Sequence, residues 1–175
     1  MQPPIIKTKQ FILRPFYLKD AVSLVEHLND KSIARYTLSI PYPYHLKDAR
    51  AWLAKVEKRK KSKKIEVLNW AIEIQGEAVG GISLEKIYIN HKAELGCWLS
   101  KKYRGQGIMT QAAKLIVSYG FKKLKLKRIW AGCFTTNPAS QKVLLKNGFK
   151  LEGILRKEHI KNNRFTDDCI FAKVK

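Results

Sequence analysis

The chain has 175 residues, 45% of them hydrophobic, enough for one substantial core and short for two independent ones. Its 35 Lys and Arg against 14 Asp and Glu give a net charge of +21, which favours acidic partners unless the excess of Lys is a compositional bias spread over solvated faces. Met1 to Phe11 has no secretory pattern, nowhere do roughly eighteen uncharged apolar residues run together, and Cys97, Cys133 and Cys169 form no CxxC pair. Secretion, a membrane span, a disulfide framework and a zinc site are thus not expected, and the reading is one cytoplasmic domain over residues 1–175 with reduced, mostly buried cysteines.

Phe11, Leu13 and Phe16 alternate as a short opening strand that ends near Pro15, and Asp20 to Leu28 carries Ala21, Leu24, Val25 and Leu28 on one helical face. The run Pro41-Tyr42-Pro43-Tyr44 is incompatible with a helix and reads as a loop beside a substrate or as a rigid connector. Leu46 to about Lys61 is helical again, with Ala49, Trp52, Leu53 and Val56 in phase. The basic run Lys55 to Lys64, seven cations in ten residues, either suits the C-terminal end of that helix or forms a nucleic-acid patch. Val67 to Ile74 and Ala78 to Ile89 alternate as strands around the turn Gln75-Gly76-Glu77, which predicts a hairpin. A strand over Ala93 to Leu99, a helix over Ile108 to Leu124 and a strand over Arg128 to Phe134 follow. Asn137-Pro138 has the composition of an N-cap and first turn, Gly148 that of a left-handed C-terminal cap, and Phe149 to Ile154 with Phe165 to Val174 complete a sheet.

The stretch Lys102-Tyr103-Arg104-Gly105-Gln106-Gly107-Ile108-Met109-Thr110 leads from a strand into a helix. Two glycines at a helix start turn bare N–H groups toward a phosphate, and the helix dipole adds to the attraction. It is no Walker loop, because no Lys-Ser or Lys-Thr follows at the required spacing. A dinucleotide fingerprint fails on Thr110, where Gly or Ala is needed, and the preceding hairpin argues against the parallel unit that fingerprint requires.

Taken with Ala93-Glu94-Leu95-Gly96-Cys97-Trp98-Leu99 before it and Asn137-Pro138-Ala139-Ser140-Gln141-Lys142 through Asn147-Gly148-Phe149 after it, this loop resembles the GNAT acetyltransferases, especially the Rim-type enzymes that acetylate N-termini of ribosomal proteins. The likeness runs from FILRPF at Phe11 to Asp167-Asp168-Cys169-Ile170-Phe171-Ala172; Lys102 departs from it, since relatives usually begin the loop with Arg or Gln. The resemblance implies a mixed α/β fold, a twisted and mostly antiparallel sheet of about six to seven strands with two splayed central strands, flanked by about four helices. It implies acetyl-CoA as co-substrate, no metal, and direct transfer in a ternary complex.

By the same resemblance the loop from Arg104 through Gly105, Gln106, Gly107, Ile108 and Met109 to Thr110 holds the coenzyme pyrophosphate, with Lys146 adding charge; Arg104 reads equally as a solvated loop cation. Asn137 and Ser140 lie where relatives touch the pantetheine arm, although an N-cap role accounts for Asn137 by itself. An amide at Trp98 or Leu99 would polarise the acetyl carbonyl, an effect worth about 3 kcal/mol. Glu94 and Glu158, the latter beside His159, are the rival general bases, and Ser140 is the candidate for protonating the departing thiolate. Cys97 has no His partner that would make it a nucleophile.

Neutralising a lysine at pH 7 costs roughly 4 to 5 kcal/mol against about 1 for an α-amine, so a modest base suits a protein N-terminus. A charge of +21 opposes polyamine acceptors and is compatible with contact to a ribosome or RNA. A small-molecule amine acetyltransferase shares every motif above, and a non-enzymatic RNA-binding module is suggested by the charge with Trp52 and Tyr44 among lysines. No membrane partner is expected, and the chain is read as a monomer or homodimer.

Overall fold

Strands that alternate in sequence pair here into one eight-stranded sheet, seen in a computed structural model that describes residues 2–62 and 64–175. Met1 and Lys63, which belong to the opening segment and the basic run, lie outside the described residues. The strands are β1 (Ile6–Lys7), β2 (Ile12–Pro15), β3 (Leu68–Ile74), β4 (Glu77–Tyr88), β5 (Lys92–Leu99), β6 (Arg128–Phe134), β7 (Lys150–Lys161) and β8 (Arg164–Val174). Their order across the sheet is β1-β2-β3-β4-β5-β6-β8-β7. Every neighbouring pair is antiparallel except β5 and β6, which are parallel.

Five α-helices cover the two faces: α1 (Ala21–Leu28), α2 (Lys31–Arg35), α3 (Leu46–Lys60), α4 (Ile108–Lys123) and α5 (Pro138–Lys146). On one face Leu84, Ala93, Leu95, Ile116, Ile129 and Leu144 share a buried cluster that seats α4 and α5. On the other, Phe16, Leu24, Leu28, Leu53, Val56 and Ala71 seat α1 and α3. Each fully buried side chain of this size contributes roughly 1.5–3 kcal/mol, so the two faces hold the sheet between them. Buried Arg14 on β2 joins the layers: its Nη1 and Nη2 donate to Asp20 at 2.7 and 2.8 Å just before α1, while its Nε donates to Glu73 on β3.

Most elements follow the sequence expectation, with three differences. The expected strand over Phe149 to Ile154 runs on to Lys161, because β7 continues its pairing with β8 past an irregularity between Leu155 and His159. The two-residue β1 and the five-residue α2 are too short to show a period, and both were unanticipated. The hairpin before the glycine loop does not preclude a parallel unit: α4 crosses from β5 to β6, and those strands run side by side in one direction. The cations Lys58, Arg59 and Lys60 occupy the last turn of α3, where the helix dipole favours them. No helix among the described residues is long and apolar enough to cross a membrane.

Candidate active site

Three residue pairs join β5 to β6: Lys92 with Arg128, Ala93 with Ile129 and Glu94 with Trp130. Beyond Glu94 the two strands part, as the splay expectation required, and a cleft of about 420 Å³ opens past that fork. Trp98 and Leu99 from β5, Arg104, Gly105 and Gly107 from the loop, Ile108, Met109 and Thr110 from the start of α4, and Asn137, Ser140 and Lys146 from α5 and its N-cap line it. Gln106 is absent from that lining; its side chain turns back and donates to the Lys102 carbonyl at 3.2 Å.

The glycine loop has the geometry of an anion cradle. Gly105 and Gly107 stand at φ +78° and +77°, a backbone that side-chain-bearing residues rarely adopt, and a Cβ built on either would meet nothing within 4 Å. The first rung of α4 runs from Gln111 N–H to Gly107 C=O at 3.0 Å, so the N–H groups of Ile108, Met109 and Thr110 precede the ladder at its positive end. A pyrophosphate suits such a loop, and the long cleft behind it suits a pantetheine arm.

Arg104 is exposed, and its guanidinium is engaged by β5 and by the start of α2. Its Nε donates to Leu99 C=O at 3.0 Å and its Nη1 to Ser32 Oγ at 2.8 Å, and its Nη2 lies 3.7 Å from Asp30 Oδ2. Asp30 in turn caps α2 by accepting from Ser32 N–H at 2.7 Å. Burial alone would raise the Asp30 carboxyl, but the bonds from Ser32 and the charge of Arg104 outweigh it and hold it below its ordinary value. Arg104 thereby fastens the glycine loop to α2, whose Ser32, Ile33 and Tyr36 form a further wall of the cleft.

Asn137 is the N-cap of α5, its Oδ1 accepting from Ser140 N–H at 3.2 Å, and both side chains line the cleft. At the other end of α5, Asn147 Nδ2 donates to Thr110 C=O at 3.2 Å, which ties the helix to the first turn of α4. Gly148 follows at φ +77° as the expected cap. Cys133 and Cys169 are buried as read, whereas Cys97 is exposed on the cleft wall. Surrounding protein pushes the Cys97 thiol up to about 11, too weak an acid for a neutral-pH nucleophile. Burial pushes the Cys133 thiol up to about 12.

The carboxylates collect on the opposite sheet face. Glu94 lies at the closed end of the fork, 2.8 Å from Lys86 Nζ, which also sits 5.2 Å above the Trp130 ring. Glu158 is exposed on β7. Between them lies Asp168 on β8, only 6% exposed, with Oδ2 3.7 Å from His159 Nε2. Burial pushes the Asp168 carboxyl above its ordinary value, His159 pulls it back, and Glu158 and Glu94 add to the rise. A second groove, of about 950 Å³, adjoins this face between α2 with its following loop and the β7–β8 hairpin. Lys31, Arg35, Lys161 and Arg164 line it, with no carboxylate among its described lining residues. The Pro41-Tyr42 stretch is part of this wall, in keeping with the substrate-side reading of that loop.

The fold therefore brings together the cofactor residues read from the sequence, apart from Gln106, while Glu94 and Glu158 stand outside the cleft lining. Sequence reasoning missed α2 and Asp168. The signals were slight: Asp30-Lys31-Ser32 is a capping pattern without a helical period after it, and Asp168 lay inside the closing block without a partner visible along the chain.

Residues 10–150 match the acetyltransferase (GNAT) domain family. The chain is 30% identical over 168 residues to the N-acetyltransferase YnaD of Bacillus subtilis (strain 168), covering 95% of each. It is 35% identical over 101 residues to the ribosomal-protein-serine acetyltransferase of Escherichia coli (strain K12), covering 57% of this chain and 56% of that one. Against the spermidine N(1)-acetyltransferase of Escherichia coli (strain K12) it is 27% identical over 163 residues, 91% of this chain and 84% of the other. Among solved structures, the microcin C7 self-immunity acetyltransferase MccE in complex with acetyl-CoA and AMP superposes with a TM-score of 0.84 at 26% identity, covering 96% of this chain and 94% of that one.

Proposed function

Because the chain belongs to the GNAT acetyltransferase family and is an acetyl-CoA-dependent N-acetyltransferase, we propose that its acceptor is the N-terminal α-amine of a protein, in the first instance a ribosomal one, and that transfer is direct within a ternary complex. The observation that carries this reading is the 950 Å³ groove whose charged lining is Lys31, Arg35, Lys161 and Arg164. It has room for several residues of an extended chain, and its cations repel a polyamine while attracting a peptide with carboxylates behind its terminus. The likeness to a ribosomal-protein-serine acetyltransferase supports the same acceptor class.

Acetyl-CoA supplies an activated acetyl thioester. The loop amides from Gly105 to Thr110 bind its pyrophosphate, the Arg104 N–H being taken by Lys101 C=O at 3.2 Å, while Lys146 adds charge and Asn137 and Ser140 orient the arm. Ser100 N–H donates to Val79 C=O on the β4 side at 2.9 Å, so by strand alternation the Leu99 amide faces the fork and the Trp98 amide faces β4. Leu99 rather than Trp98 is thus our donor to the acetyl oxygen. Ser140, at the mouth of α5, is our donor to the departing sulfur. Of the two rival bases read from the sequence, Glu94 is ion-paired with Lys86 and is here assigned to orienting the acceptor, and exposed Glu158 is given no part in proton removal.

Thiol release measured with a panel of ribosomal N-terminal peptides and with spermidine tests the acceptor. Turnover of peptides at least tenfold above spermidine in kcat/KM is expected. Robust acetylation of spermidine with none of any peptide would overturn the reading in favour of a small-amine enzyme, the alternative that the spermidine acetyltransferase relative keeps in view.

A further inference from the structure

We infer that Asp168, set by His159, is the group that takes the proton from the incoming amine; this rests on the acetyltransferase reading and holds for any protonated amine acceptor. Asp168 pairs with Phe134 across β6 and β8, so its side chain lies on the sheet face that carries Gly132, Trp130 and Glu94. Gly132 is two residues past the fork. A Cβ there would come within 2.4 Å of Asp168 Oδ2, so the carboxylate occupies the space that any other residue on β6 would fill. It lies over the strand that borders the fork.

The bulge in β7 accounts for the placement of the partner. Lys157 stands at φ +52°, and its N–H donates to Asp167 Oδ1 at 2.8 Å. The pairing of β7 with β8 slips between Leu155 and His159 at this point, which re-aims the residues that follow. His159 is thereby brought to 3.7 Å from Asp168 Oδ2 and 5.8 Å, ring to ring, from Phe134. A left-handed lysine pinned by an aspartate is a local cost, and its visible result is the Asp168–His159 pair. The other charges facing Asp168 are Glu94 from β5 and Glu158 from β7, and the thiols of Cys133 and Cys169 are neighbours. Glu94 is ion-paired to Lys86 and Glu158 is exposed, so Asp168 is the buried carboxylate at the fork that lacks a lysine or arginine partner among the described residues.

The step balances simply. The N–H bond of the acceptor ammonium breaks, its proton passes to Asp168 Oδ2, and the electron pair stays on nitrogen. That pair forms the N–C bond while the C–S pair leaves on sulfur; nitrogen then gives up its second proton as the neutral amide forms, and Ser140 delivers one proton to the thiolate, so the products are amide and coenzyme A thiol. Asp168 returns its proton to water through His159, whose side chain is partly exposed.

Three proteins are compared: wild type, Asp168→Asn and Gly132→Ala, the last displacing the carboxylate without removing it. Each is given the best amine acceptor of the wild type and, separately, the same acceptor carrying an aminooxy group, which is uncharged at pH 7. For Asp168→Asn, kcat should fall at least 100-fold with the amine and less than fivefold with the aminooxy acceptor. Calorimetric affinities for acetyl-CoA, and for the acceptor on the coenzyme A complex, should stay within threefold of wild type. Gly132→Ala should lose at least tenfold in kcat in the same selective way, and it keeps the question open to measurement if Asp168→Asn fails to fold. An Asp168→Asn enzyme within threefold of wild type on the amine, or an equal loss on both acceptors, would overturn the inference. A wild type that ignores peptides but acetylates spermidine defeats only the peptide reading, since the same comparison is then run with spermidine.

Discussion

Gly107 is both the N-cap of α4 and a left-handed residue facing open space, so a side chain there conflicts with the backbone first and with the diphosphate second. Gly107→Val should weaken acetyl-CoA at least tenfold by calorimetry, about 1.4 kcal/mol. Glu94→Gln, outside the cleft, should leave that affinity unchanged and alter only the kinetics of the acceptor. Asp30 makes a second residue-level test because its folded carboxyl titrates below its unfolded value of 3.8. Its contribution is therefore complete above that pH and is lost as pH falls through the lowered folded value. Asp30→Ala should cost about 1 kcal/mol of stability at pH 7, the usual loss for a helix cap. Denaturant titrations should show the gap between variant and wild type closing as pH drops below 3.8.

At the scale of elements, the short helices carry the most function per residue. Asn137→Ala removes the cap of α5, so a fall of about 1 kcal/mol in unfolding free energy is expected together with weaker coenzyme binding, whereas Asn137→Ser should retain most of both. The long periodic elements were legible in the sequence: α3 and α4 from their apolar spacing, the β3–β4 hairpin from alternation around Gln75-Gly76-Glu77, and α5 from Asn137-Pro138. The glycine-loop side of the candidate cleft was legible for the same reason, since a strand, a glycine loop and a helix start are contiguous along the chain. The acceptor side was not. Asp168 meets Gly132 and His159 only through strand pairing and a bulge, and α2 is a single capped turn and a half whose meaning lies in what Arg104 reaches. Pairing register and tertiary capping leave no period to read.

At the scale of the whole molecule, +21 acts over the solution as well as at the groove. Raising ionic strength from about 0.05 to about 0.3 M shortens the Debye length about 2.4-fold, which should raise KM for an acceptor peptide with carboxylates behind its terminus and lower it for spermidine. Opposite signs in one buffer series would assign the effect to the acceptor groove rather than to the anionic coenzyme, which is common to both assays.

The clasp from Arg104 to Ser32 and Asp30 has a kinetic consequence. Since α2 is at once a boundary of the thioester channel and of the groove beside it, neither ligand can settle without fixing a surface the other uses. Free-energy linkage then makes the help mutual: whatever factor coenzyme A adds to peptide affinity, peptide must return to coenzyme A. Each ligand should slow the other's dissociation in displacement experiments, calorimetry should find the same affinity factor in both directions, and Arg104→Ala should shrink it.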